Sequence, residues 1–146
     1  MDRRTNPSYG YRAVHVIVET GGLSVEVQVR SSLQHVWAEL SERLSDVVDS
    51  SIKYGGGDKP TRELLTSTSH LVSQLEEMEQ DSLEMQVTLA SLQEQAPADE
   101  RFRNEIIRVK SEVVRAFDEI VLRKEELIQL FQRMTSGLES KKGLEQ

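Results

Sequence analysis

The sequence predicts an α+β protein, a β-hairpin packed on a helix and followed by a long antiparallel helical hairpin, and three patterns carry that expectation. Residues 14–30 alternate apolar and polar side chains with period two around Gly21-Gly22. From Leu33 the apolar residues recur at three- and four-residue steps. From residue 64 onward two heptad-like seams are separated only by Ala96-Pro97-Ala98-Asp99. A chain of 146 residues is long enough for one domain, although with 37% apolar and 29% charged residues its core is modest.

The first strand places Val14, Val16 and Val18 on one side and Ala13, His15 and Ile17 on the other. The second places Leu23, Val25, Val27 and Val29 against Ser24, Glu26, Gln28 and Arg30, and Thr20-Gly21-Gly22 supplies the positive-φ positions of a tight reversal. If the valines share a face, Tyr11 and His15 lie beside Glu26, Gln28 and Arg30 on the other. The valine face then belongs to a core. A carboxylate, an amide and a guanidinium in a row suit an anion or a metal-phosphate site, and the competing reading is an ordinary amphipathic hairpin with a solvated polar face.

Ser31-Ser32 caps a helix through Leu33, Val36, Trp37, Leu40, Leu44 and Val47-Val48, expected to pack on the apolar side of the sheet. Residues 50–60 hold Gly55-Gly56-Gly57 and end in Pro60, and because this spacing matches no P-loop they read as a hinge rather than a phosphate cradle. The first long helix carries a seam of Leu64, Leu71, Leu75, Met78, Met85, Leu89, Leu92 and Ala96, with Thr68 and Ser82 in the remaining positions. The second carries Phe102, Ile106, Val109, Val113, Ala116, Ile120, Leu127, Leu130 and Met134, interrupted by Arg123. At about 1.5 Å per residue, helices of roughly 35 residues reach about 50 Å. Pro97 or Asp99 begins the second helix. Its stripe is widened by Ile107, Val114, Phe117, Val121, Ile128 and Phe131, which favours self-association through the long helices over burial within one chain. The expected division is residues 1–58, 59–135 and a flexible polar tail, 136–146.

Composition excludes several classes. There is no cysteine, hence no disulfide framework or thiolate metal site. A net charge of −7 argues against general nucleic-acid binding. No apolar run approaches the roughly 20 residues of a membrane span, and Met1-Asp2-Arg3-Arg4 does not open a signal peptide, so no membrane association and a cytoplasmic location are expected.

Three segments, Gly10-Tyr11-Arg12-Ala13-Val14-His15, Glu26-Val27-Gln28-Val29-Arg30 and Gln34-His35-Val36-Trp37-Ala38-Glu39, resemble in order and spacing the synthetase domain of RelA/SpoT-type alarmone synthetases. The resemblance implies part of a nucleotidyltransferase-like mixed sheet and transfer of pyrophosphate from ATP to the 3′-hydroxyl of GDP or GTP with Mg2+, making (p)ppGpp in the stringent response. It implies that Tyr11 stacks on guanine, His15 lines the acceptor pocket, Glu26 holds magnesium and helps activate the hydroxyl, and Gln28 and Arg30 support the site. Residue by residue the plainer readings remain: Tyr11 as a sheet-edge aromatic, His15 as a structural histidine, Arg30 as a partner of Glu39 or Glu42.

The family's histidine after the aromatic-Ala segment is absent from Trp37-Ala38-Glu39-Leu40-Ser41-Glu42, and Lys53-Tyr54 reverses its Tyr-Lys order, which places the chain in a divergent branch. Residues 2–9 resemble the lead-in loop to the tyrosine segment, so the chain reads as the carboxyl-terminal half of a synthetase domain, without the donor-site basic cluster and incomplete for catalysis. The alternatives are a catalytically inactive nucleotide-binding or helix-mediated interaction module, and a relative that pyrophosphorylates tRNA. Small members of the family oligomerise through terminal helices, the analogous expectation here.

Overall fold

The computed structural model describes residues 13–96 and 99–142. Two strands, β1 (Val14–Thr20) and β2 (Leu23–Val29), precede three helices, α1 (Ser32–Val47), α2 (Lys59–Gln95) and α3 (Glu100–Lys142). The α+β class and the order hairpin, short helix, two long helices are those expected. The chain separates into two compact units, one comprising the chain through Val72 together with Leu127 onward, the other Ser73–Glu126. The long helices are therefore shared by both units.

The strands pair antiparallel, with Val14 opposite Val29, His15 opposite Gln28, Val16 opposite Val27 and Val18 opposite Val25. Gly21 and Gly22 turn the chain at φ 57° and 79°, a conformation that costs a side-chain-bearing residue energy and glycine little. This is the expected register. Burial departs from expectation: Val16, Val18, Val25 and Val27 are 43–46% exposed, and no element among the described residues covers them. Only the base of the hairpin is enclosed, with Ala13 fully buried and Val14 and His15 half-buried.

The valines stay open because α1 packs elsewhere. Ser31 opens α1 with a capping box, its hydroxyl accepting from the Gln34 amide at 3.1 Å while the Gln34 side chain accepts from the Ser31 amide at 3.2 Å. The apolar stripe then turns toward the long helices: the indole N–H of Trp37 donates to Thr68 Oγ1 of α2 at 3.0 Å, and Arg43 pairs with Glu139 of α3. Leu33, Leu40, Val72 and Phe131 are the largest fully enclosed side chains of this unit. Thr68 in turn donates to the Leu64 carbonyl at 2.8 Å, so a polar residue at a seam position is satisfied on both sides.

The loop between α1 and α2 is a closed knot. Ser51 O accepts from the amides of Tyr54 and Gly56, each at 2.9 Å, and Ser51 Oγ accepts from the Gly57 amide at 2.9 Å. A Cβ at Gly57, where φ is +86°, stands 2.7 Å from Ile52 Cγ1, so glycine is required there. Asp58 then caps α2 by accepting from the Thr61 amide at 2.8 Å, and Asp99 caps α3 through the Arg101 amide at 2.9 Å. Pro97, the other residue expected to begin α3, lies outside the described residues.

In the second unit Leu75, Leu89, Ile106 and Ile120 are buried, and Lys124 of α3 pairs with Glu79 of α2. The expected seams are half right. Leu75, Leu89, Ile106, Ile120 and Leu127 point inward, whereas Leu64, Leu71, Met78, Met85 and Leu92 on α2 and Phe102 and Leu130 on α3 are exposed. The inner surface of α2 is turned by one row, to Leu65 and Val72, and Phe131 takes the inner place expected of Leu130. A helix that meets α1 as well as α3 needs a stripe broader than a two-stranded seam. α3 continues through Lys142, and Arg43 pairs with Glu139 near its end.

Two outcomes follow. Thr68→Val strands the Trp37 N–H and lowers unfolding free energy by about 1–3 kcal/mol in urea melts, and it costs much less in a Trp37→Phe background because the donor is then gone. Hydrogen bonds from Thr61 and Ser51 hold the Asp58 and Asp49 carboxyls below the usual carboxylate range. Their contribution is complete above about pH 4 and fades as the pH falls through the depressed values. Asp58→Asn keeps the cap and flattens that part of the acid sensitivity, read as the change in melting temperature between pH 6 and pH 3.

Candidate functional site

The polar face of the hairpin is built by pairing parity. Because directly opposed residues of an antiparallel pair share a face, His15 and Gln28 stand together, with Ile17 and Glu26 next and Glu19 and Ser24 toward the tip. Three of the five residues expected at this site, His15, Glu26 and Gln28, are thus on one surface. Arg30 follows just past the end of β2 and is half-buried. Tyr11 lies outside the described residues.

The central contact is a bond between His15 Nδ1 and the Glu26 carboxylate, made on the diagonal between neighbouring cross-strand pairs. The His15 side chain is 14% exposed and that of Glu26 51% exposed. The imidazole thus fixes one carboxylate oxygen through Nδ1, and the Glu26 side chain stays half open to solvent. A carboxylate so oriented can accept a proton from a hydroxyl or join the coordination shell of a hard cation.

Among the described residues no group of three or more His, Asp or Glu is placed to hold a metal ion. Magnesium keeps several waters and commonly takes one or two carboxylates together with phosphate oxygens, so Glu26 fits as a single protein ligand in a nucleotide-bridged shell and not as part of a closed protein cage.

Two further places were weighed. The amides of Gly55, Gly56 and Gly57 bond to Ile52 O, Ser51 O and Ser51 Oγ, which leaves them turned into the loop and away from any anion. This agrees with reading the loop as structural. A groove of about 400 Å3 between α1 and the end of α3 was missed from sequence; Glu39, Glu42, Asp46 and Glu139 line it around Arg43. Its only sequence signal is acidic residues at helical spacing on the polar side of α1, which looks like any solvated face. With Arg43 already paired to Glu139, the groove repels phosphate. Glu39, considered above as a partner for Arg30, stands 3.4 Å from His35 one turn earlier.

No helix among the described residues is long and apolar enough to cross a membrane. No family model matches the chain, and no solved structure matches it. The chain is similar to the uncharacterized protein Rv1366 of Mycobacterium tuberculosis and the uncharacterized protein Mb1401 of Mycobacterium bovis, each 43% identical over 53 residues, 36% of this chain. That segment is 19% of each relative, so the chain spans about a fifth of the length of the curated relatives it matches.

The His15–Glu26 bond has a spectroscopic signature. Long-range proton–nitrogen spectra at neutral pH should show His15 as the Nδ1–H tautomer, and Glu26→Ala should return the ring toward the Nε2–H form usual for free histidine.

Proposed function

We propose that the polar face of the hairpin is the acceptor side of a RelA/SpoT-like pyrophosphate-transfer site, binding GDP or GTP. The observation that carries this reading is the placement of His15, Glu26 and Gln28 on one surface, with His15 bonded to Glu26, in a chain whose segments resemble those of the family.

In this reading Tyr11 stacks on guanine, a contact worth about 1–3 kcal/mol per base. His15 lines the nucleotide pocket and holds Glu26 in one orientation through Nδ1–H. The Glu26 carboxylate accepts the proton of the ribose 3′-hydroxyl as that oxygen attacks the β-phosphorus of ATP, the bond from the β-phosphorus to the α-phosphate bridging oxygen breaks, and AMP leaves. Glu26 would also hold a magnesium ion, whose charge neutralises the pyrophosphate in transfer. Gln28 and Arg30 extend the same surface toward the acceptor's phosphates, with Arg30 supplying the positive charge. Transfer of this kind asks a protein mainly for positioning and charge neutralisation, and this surface offers both on the acceptor side. The donor ATP is assigned to residues other than these five.

A second reading, nucleotide binding without turnover, is favoured by the sparse carboxylates of this face, Glu26 and, toward the tip, Glu19 among the described residues, which form no metal-holding group. One pair of measurements separates them. Calorimetric titration of the chain with GDP should show magnesium-dependent binding that weakens about tenfold in Tyr11→Ala and loses its magnesium dependence in Glu26→Gln. Chromatography of an ATP-plus-GDP incubation then reports turnover or its absence. GDP binding that is absent, or unchanged in both variants, overturns the acceptor-side assignment.

A further inference from the structure

We propose that α2 has two rotational states within the Ser73–Glu126 unit, and that the Glu79–Lys124 pair is the latch that holds the one observed. The inference is independent of the nucleotide site.

Two heptad seams on α2 share one column. Leu75, Ser82 and Leu89, seven residues apart, belong to both. In the observed state the shared column is completed by Glu79, paired with Lys124 of α3, and by the half-buried Gln86. On its other side stand Met78, Met85 and Leu92, which are 45–52% exposed. Successive helical residues lie about 100° apart, so seams that pair the shared column with one neighbour or the other differ by a turn of only about 50°. Such a turn keeps every backbone hydrogen bond of the helix.

The two states carry opposite costs. The observed seam encloses polar groups: the Glu79 and Lys124 side chains are only 27% and 19% exposed, and Gln86 Nε2 is buried without a hydrogen-bond partner. It also leaves three large apolar side chains in water. The turned state brings Met78 and Met85 into the seam and returns the Gln86 amide to solvent, so hydrophobic burial and amide satisfaction both favour it. The ion pair opposes them. Turning carries Glu79 away from Lys124 and leaves an ammonium facing methionine, a loss that a paired, partly buried charge resists strongly.

Three residues suit the change of packing. Ser82, in the middle of the shared column, is too small to block the turn, and its hydroxyl is buried without a hydrogen-bond partner, so no bond ties it to α3. Met78 and Met85 are unbranched and fill irregular space easily. Packed interfaces pass between discrete arrangements rather than deform gradually, and a charge pair made in only one arrangement selects between them. Loss of the charge on either partner releases the latch. The turn exchanges an apolar flank for a polar one, so a single ion pair sets how much apolar surface this unit shows.

The chain contains no cysteine, so single introduced thiols report on each row. With the latch intact, the thiol of Met85→Cys should react with a maleimide rapidly and that of Gln86→Cys more slowly. Adding Lys124→Gln, which strands Glu79, should slow the first about tenfold and speed the second about tenfold while circular dichroism keeps the helical signal. Glu79→Gln, which leaves no stranded carboxylate and disturbs the fold less, should move both rates in the same directions. Glu79→Leu added to Lys124→Gln makes the observed row apolar and should return both rates to their original values. Rates unmoved by both latch variants overturn the proposal. So do rates that rise together, as helix opening would produce, and a shift that Glu79→Leu fails to reverse.

Discussion

The hydrogen bond from Trp37 to Thr68 decides where α1 belongs, and most of the first unit follows from that choice. A buried indole N–H must find an acceptor, and the acceptor it finds is on α2. Once α1 is committed to the long helices, Leu33, Leu40, Val72 and Phe131 close a helical core around it. The hairpin is then joined to that core only through its base. The sheet then carries a row of valines on one face and the His15–Glu26 pair on the other, and beyond the base no element among the described residues covers the valines.

That arrangement separates stability from chemistry. The core is helix on helix, so substitutions on the polar face of the hairpin touch little that holds the fold. Glu26 can keep an exposed carboxylate because its orienting partner, His15, sits at the enclosed base of the same sheet. An enclosed orienting group beside an open carboxylate holds the geometry of that carboxylate without closing it off from solvent.

What was legible in the sequence was local. Period-two parity and Gly21-Gly22 fixed the strand register residue by residue, and Ser31 with Gln34 marked the start of α1. What failed was the choice of partner. An apolar stripe says that a helix face is buried but not against what, and nothing near Trp37 in sequence points to Thr68, 31 residues on. The α2 seam failed for a related reason. Leu64 and Leu65, like Leu71 and Val72, are both apolar, so the rows differ only at Met78 against Glu79, Met85 against Gln86 and Leu92 against Gln93, and at all three hydrophobicity favours the row that the structure leaves exposed. The structure buries Glu79 in part because Lys124, 45 residues away, neutralises it. Parity alone put His15, Glu26 and Gln28 on one face, while the bond between His15 and Glu26 runs on the diagonal between cross-strand pairs, which parity does not specify.

The hairpin has one more property, which lies in its edges. Each strand of a two-stranded ladder turns half of its peptide groups outward, and proteins ordinarily guard such edges with lysine, proline or a covering element. β1 and β2 contain neither lysine nor proline, and Glu19 and Glu26 are their only acidic residues. Short, valine-rich, weakly charged strands of this kind are those that extend a ladder with copies of themselves. Among the described residues Glu19 and Glu26 are therefore the acidic side chains that oppose strand addition at the hairpin.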